Sequence, residues 1–397
     1  MRKLLTLALL AVAAQVFAQA QPPIPNLATY KSKALSAGVT TCANFAAQNV
    51  NYGTYYDGAW SMEEIAKQVV ADGGNPASWY TCTDVANDVY RDAYVLANRG
   101  TVTGYNEFAT GMRMHYQRTN ENDSRKGIAY MAGWHLIDAI GNGAAYCGAG
   151  GTTNFIHNNP TLIRESSYCL RTVLEAQLLG VTVTPATKRD GIKDMLISFL
   201  NAFVVAKTTR APTVDPGGLY PPACYGKWYI QPFMQAIGAH SLIHYADQTS
   251  LDRTNIYNMV KTVADFFWDN VRVNGTQNVF FYQNCKTDGD DPTWDLAMPG
   301  GNPASTVDLN MIFPSIYQWL YMTPGSACGN TVYRDRADAL FGTAAGTGMG
   351  FVTIDGKHFN QNYTWSRDYV RLRSLPEPGC GKPSAPGVPS ILVEIKP

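Results

Sequence analysis

Ile192-Lys193-Asp194-Met195-Leu196-Ile197-Ser198-Phe199-Leu200-Asn201-Ala202-Phe203 carries apolar residues at 192, 195, 196, 199, 200 and 203. This is the i, i+3, i+4, i+7 spacing with which an α-helix collects one buried stripe. Met259, Val263, Phe266 and Phe267 repeat it. The same periodicity predicts helices over 27–50, 60–72, 84–98, 105–118, 123–141, 160–180, 186–208, 229–247, 253–272, 305–322, 332–343 and 358–372, each bounded by Gly, Pro or Asn. Strand signals are confined to short runs, Val279-Phe280-Phe281-Tyr282 and Phe351-Val352-Thr353-Ile354, which read as hairpins in loops. The expected class is all-α. Near twelve helices in pairs, joined by long stretches rich in Gly, Tyr and Pro, predict an (α/α)6-type toroid of helical hairpins. Each amphipathic helix must bury its stripe against neighbours, and a closed ring leaves no exposed end. An open solenoid would favour binding over catalysis, but the chain has no fixed repeat period.

Residues 1–20 read as a secretory signal: Arg2 and Lys3 lead, Leu4 to Val16 form an apolar run, and Ala18-Gln19-Ala20 offers a small-x-small cleavage site. The expected organisation is this signal, a toroidal catalytic-type domain over 21–373, and a Pro/Gly-rich extension over 374–397. A secreted or periplasmic location follows, with no membrane association after cleavage. Eight cysteines, Cys42, Cys82, Cys147, Cys169, Cys224, Cys285, Cys328 and Cys380, are an even set in an exported chain and predict disulfides paired in sequence order. The 31 basic and 31 acidic residues cancel, so the chain lacks the basic excess that nucleic-acid binding needs. Neutral charge and export make a monomer the expected state.

Residues 357–371, from Lys357 to Arg371, combine aromatic rings with Asn360, Gln361, Asn362, Arg367 and Arg371. Such a mixture suits a sugar, whose C–H face packs on rings while carboxamides and guanidinium forks satisfy hydroxyls or a uronate carboxylate. An ordinary amphipathic helix with Phe359, Tyr363 and Val370 inward reads equally well. Three carboxylates are candidates for acid/base work. Asp57, in Tyr55-Tyr56-Asp57-Gly58-Ala59-Trp60, either caps a helix or acts from its N-terminus. Glu165 follows Arg164 in an otherwise apolar helix, and Asp308 opens another, where burial would raise its pKa unless it is simply a cap. Tyr56, Trp60, Trp228, Tyr363 and Trp365 are the expected sugar platforms, and Arg164, Gln231, Asn360 and Gln361 the polar partners.

No metal or other cofactor is expected. His240 and His244 share a helix face at metal-ligand spacing, yet Ser241 stands where a zincin has Glu, and a satisfied core pair is the plainer reading. Asp288-Gly289-Asp290-Asp291 has a composition that would suit a structural calcium, without the twelve-residue spacing of an EF-hand. The glycine-rich run 141–151 has no Gly-Lys-Ser/Thr, and no Gly-x-Ser-x-Gly elbow occurs.

Tyr56-Asp57-Gly58-Ala59, Tyr90-Arg91-Asp92-Ala93-Tyr94-Val95, Gly104-Tyr105, Thr110-Gly111, Gln231-Pro232-Phe233-Met234, Asp308-Leu309-Asn310 and Asn360-Gln361-Asn362-Tyr363-Thr364-Trp365-Ser366 resemble a group of secreted bacterial proteins with a six-hairpin glycosidase-like (α/α) toroid. The resemblance spans most of the chain after residue 20. It implies the fold more than a reaction, since such toroids host glycoside hydrolases, polysaccharide lyases and epimerases. The leading expectation is a glycoside hydrolase on a polysaccharide or oligosaccharide, inverting rather than retaining, with its acid/base pair drawn from Asp57, Glu165 and Asp308. A lyase on a uronic acid polymer, using His157, Asn158, Tyr363 and Arg367, is the second expectation, and a non-catalytic glycan-binding protein the third.

Overall fold

The computed structural model describes residues 21–47, 54–133, 162–183, 186–211, 213, 222–273, 279–280, 284–286, 311–323, 330–347, 351 and 356–377. Among them are twelve α-helices: α1 Leu27–Asn44, α2 Gly58–Ala71, α3 Ala77–Asn87, α4 Thr110–Thr119, α5 Asn122–Gly133, α6 Ile163–Leu178, α7 Lys188–Val204, α8 Pro232–Thr249, α9 Arg253–Asn270, α10 Phe313–Met322, α11 Val332–Thr347 and α12 Gly356–Arg373. Each expected helix has its counterpart. α3 begins earlier than its apolar pattern suggests because Pro76 starts it, and it runs on into a π-helical segment, Asp88–Leu96. The predicted runs at 48–50, 134–141 and 305–310 lie outside the described residues, as do the signal segment 1–20 and most of the tail.

The helices pack as sequential pairs: α2 on α3, α4 on α5, α6 on α7, α8 on α9 and α10 on α11. The even-numbered helices also touch one another in succession, α2 to α4, α4 to α6, α6 to α8, α8 to α10 and α10 to α12, and α12 returns to α2. Their burial matches this position. Every residue of α10 is buried, and in α8 only the first turn and the C-terminal end keep partly exposed positions. The odd-numbered helices are one-sided: α9 buries Ile256, Val260, Val263, Ala264 and Phe267, the i, i+4, i+7 stripe of an amphipathic helix. One hydrophobic cluster runs through all the helices, from Tyr30 to Leu372.

The sheet content is slight. β1 (Trp228–Ile230) pairs antiparallel with β4 (Asn284–Lys286), and β2 (Arg272–Val273) with β3 (Val279–Phe280). The latter bears out the short strand expected at Val279, whereas residues 352–355 lie outside the described set.

Cys42–Cys82 joins α1 to α3, and Cys224–Cys285 joins the turn before β1 to β4. Both follow sequence order, and they indicate an oxidising compartment. No helix among the described residues is long and apolar enough to cross a membrane. The first bridge closes a loop of 40 residues. Replacing Cys42 and Cys82 together by Ser is expected to lower unfolding free energy by roughly 3–4 kcal/mol, read from the denaturant midpoint.

Candidate functional site

Two loops at helix N-termini build the site. The first is Thr54–Asp57, before α2. Tyr56 and Asp57 both have left-handed backbone, φ 60° and 66°. Two successive residues that carry side chains in that region are held there against a cost of order 1–3 kcal/mol each, the kind of strain that gathers at functional sites. Asn360 on α12 holds the turn by donating from Nδ2 to the Tyr55 carbonyl at 2.9 Å.

The second loop is a 3-10 turn, Gly104–Asn106, followed by Glu107, Phe108 and Ala109 ahead of α4. Tyr90, in the π-helical segment, clamps Glu107 from both sides. Its hydroxyl donates to the Asn106 carbonyl and accepts from the Phe108 N–H at 2.8 Å. Glu107 is thereby fixed, 1% exposed, facing Thr172 of α6 and Lys188 of α7.

Asp57 ties the loops together. Its Oδ1 accepts from the Trp60 N–H at 3.0 Å, capping α2, and its Oδ2 accepts from the Gly111 N–H at 2.9 Å, capping α4. One carboxylate therefore serves two helix N-termini. The expectation that Asp57 is a cap holds, and the same side chain lines the pocket. So close an approach requires glycine at 111: a Cβ there would stand 2.2 Å from Asp57 Oδ1 and 2.4 Å from the Trp60 nitrogen. Gly111→Ala is expected to cost about 2–4 kcal/mol, from overpacking and the loss of a cap, as read from chemical unfolding.

The pocket between the loops is lined by Tyr56, Asp57, Trp60, Glu107, Phe108, Ala109, Thr110, Tyr168, Arg171, Thr364 and Trp365. It holds about 340 Å³ of empty space with the solvent at its mouth included. Tyr56, Phe108 and Tyr168 meet edge to face or tilted, and Trp365 stands edge-on to Tyr56 at 5.7 Å.

Burial pushes the two acids up to different degrees. The Glu107 carboxyl is raised to about 8 by desolvation, which Lys188 and Thr172 only partly offset. Asp57 is also raised by desolvation, but its two backbone N–H bonds oppose that and leave it at about 6. Between these values Asp57 is ionised and Glu107 is protonated.

Beneath the pocket lies a polar layer. Arg171, 8% exposed, donates from Nη2 to His240 Nδ1 at 2.6 Å, and the other ring nitrogen lies 3.1 Å from Asp368 Oδ2. Burial and the adjacent Arg171 lower the His240 pKa, so it is a neutral link between a cation and an anion. His244 approaches Glu175 at 3.4 Å and Gln248 at 2.6 Å. The two histidines thus have protein partners, and no group of three metal-ligand side chains occurs among the described residues.

Of the sequence-derived candidates, Tyr56, Asp57, Trp60 and Trp365 come together in the pocket. Asn360 supports it from behind. Glu165 is paired with Arg164, whose guanidinium lies 5.7 Å from the Tyr105 ring, and neither is among the lining residues. Trp228 is core: its indole N–H donates to the Phe203 carbonyl at 3.2 Å, and its ring meets Phe266 edge-on. Tyr363 is core too, stacked on Phe359 and donating to Gln68 Oε1 at 3.2 Å. Gln231 ends β1 as the N-cap of α8, outside the pocket. Gln361 is fully buried with both amide atoms lacking hydrogen-bond partners. Asp308, His157, Asn158, residues 141–151 and Asp288 to Asp291 lie outside the described residues. Sequence reasoning missed Glu107, Tyr168 and Arg171. A signal existed for Glu107, a lone acid between Tyr105 and Phe108 one turn before the Thr110-Gly111 start.

Compared with protein-family models, curated proteins and solved structures, the chain has no match.

Proposed function

We propose that the protein is a secreted glycoside hydrolase with an (α/α)6 toroid fold, in which Glu107 is the general acid and Asp57 the general base or nucleophile. The toroid reading rests on the succession of contacts among the even-numbered helices and the return of α12 to α2. The reaction rests on one observation: two carboxyl groups line the same aromatic-walled pocket, one raised to about 8 and the other to about 6. Glycoside hydrolysis needs this division, one carboxyl protonating the leaving oxygen while the other, ionised, activates water or attacks the anomeric carbon. Trp60 and Trp365 line the pocket and are the rings proposed to meet the sugar face. A lyase fits less well, because Tyr56 and Tyr168, the phenols in the pocket, are both held well above their ordinary pKa by burial and stay protonated, so neither is ready to accept a proton.

Incubation of the chain from residue 21 with a panel of polysaccharides tests this. New reducing ends without ultraviolet absorbance are expected. An unsaturated, absorbing product would replace the hydrolase by a lyase. Binding without cleavage, unchanged by Glu107→Gln, would make the protein a glycan-binding one.

A further inference from the structure

The pocket holds two buried donors without an acceptor among the described residues. Arg171 commits Nη2 to His240, but its Nε has no hydrogen-bond partner among the described residues. The hydroxyl of Tyr168, 3% exposed, has none either. Both residues line the pocket, one turn apart on α6, where i and i+3 side chains share a face. The guanidinium also lies over Trp60, 5.4 Å from its ring centre, so its plane is held by packing as well as by His240. Of the two carboxyl groups in the pocket, Asp57 gives one oxygen to each of two backbone N–H groups, and Glu107 faces Thr172 and Lys188. A buried donor left without an acceptor costs free energy, and two of them lining one pocket can be met by a single acceptor from outside.

The chemistry of the two donors narrows the choice. A guanidinium beside a phenol is matched by a carboxylate, which takes a charge-assisted bond from the one and a second bond from the other. We propose that the pocket is a carboxylate subsite, with Arg171 Nε and Tyr168 Oη as donors, and that the substrate is an acidic glycan whose uronate residue presents its carboxylate there. The glycan part of this inference rests on the hydrolase reading, whereas the carboxylate site does not.

Calorimetric titration of the chain from residue 21 with sodium D-glucuronate and, separately, D-glucose at pH 6.5 tests it. Glucuronate should bind at least tenfold more tightly than glucose. Arg171→Gln and Tyr168→Phe should each weaken glucuronate about tenfold or more. Tyr168→Phe removes one oxygen and keeps the ring, so it reports even if Arg171→Gln fails to fold. Equal binding of the two sugars, binding of neither, or unchanged glucuronate affinity in Tyr168→Phe would overturn the proposal. Glucuronate binding by a protein that cleaves no polysaccharide would remove the hydrolase and leave the carboxylate site standing.

Discussion

Glu107→Gln is expected to lower kcat by about 10²–10⁴ on any polysaccharide the protein cleaves, with little change in KM. The substitution keeps the shape of the side chain and its reach to Thr172, and removes only the transferable proton. Its companion signature is in stability. Glu107 is raised from 4.5 to about 8, so across that window the folded protein holds a proton that the unfolded chain has released. Stability must therefore fall as pH rises from about 4.5 toward 8, by up to about 1.4 kcal/mol per unit. The glutamine variant lacks this contribution. It should be close to the parent at pH 5 and more stable by an order of 3 kcal/mol at pH 8. Asp57, raised from 3.8 to about 6, contributes a slope of the same sign over a narrower window, so a smaller total, that both proteins keep. An active variant, or parallel stability curves, would remove Glu107 from its assigned role.

The helices were legible because burial in this protein is periodic. The stripe at 192–203 and the one at 259–267 give α7 and α9 directly, since a one-sided helix writes its packing into its own sequence. The even-numbered helices are harder to read. α8 is buried nearly all round, and its histidines, serine and glutamines look like a solvent face until the neighbours are known. The same confusion affected the aromatic candidates. Trp228, Tyr363 and Trp365 look alike as local sequence, yet the first is fixed by a carbonyl 25 residues away and the second by Gln68, while the third reaches the pocket. Asp57 was legible because a cap is a local device. Glu107 was not, because its raised pKa comes from the packing of α6 and α7, and its counter-charge is Lys188, far along the chain. Arg171 reads as one more polar residue in a helix until α8 and α12 bring His240 and Asp368 beside it.

Glu175→Gln should be the most destabilising of the conservative changes, at about 3–5 kcal/mol. Glu175 and Arg113 are both fully buried, and Arg113 Nε donates to Glu175 Oε2. The other carboxylate oxygen accepts from Thr110 Oγ1 at 2.9 Å and lies 3.4 Å from His244 Nε2. One side chain on α6 thus joins α4 and α8, and its neutral replacement leaves the Arg113 charge buried without compensation. Burial alone would raise the Glu175 pKa, but Arg113, His244 and Thr110 more than offset it and hold the carboxyl at about 2, against 4.5 in an ordinary glutamate. A depressed carboxylate contributes stability that is complete above about 4.5 and lost as pH falls through about 2. The deficit of the variant should therefore be full at pH 7 and shrink on acidification toward pH 2, in urea titrations at each pH. A deficit under 1 kcal/mol, or one that does not change with pH, would mean that the pair is not the link between these helices. The charge of Glu175 also raises the Asp57 pKa, so the variant that folds should show the acidic limb of its pH–rate profile at lower pH. Such a shift in Glu175→Gln would tie the buried pair to the chemistry as well as to the fold.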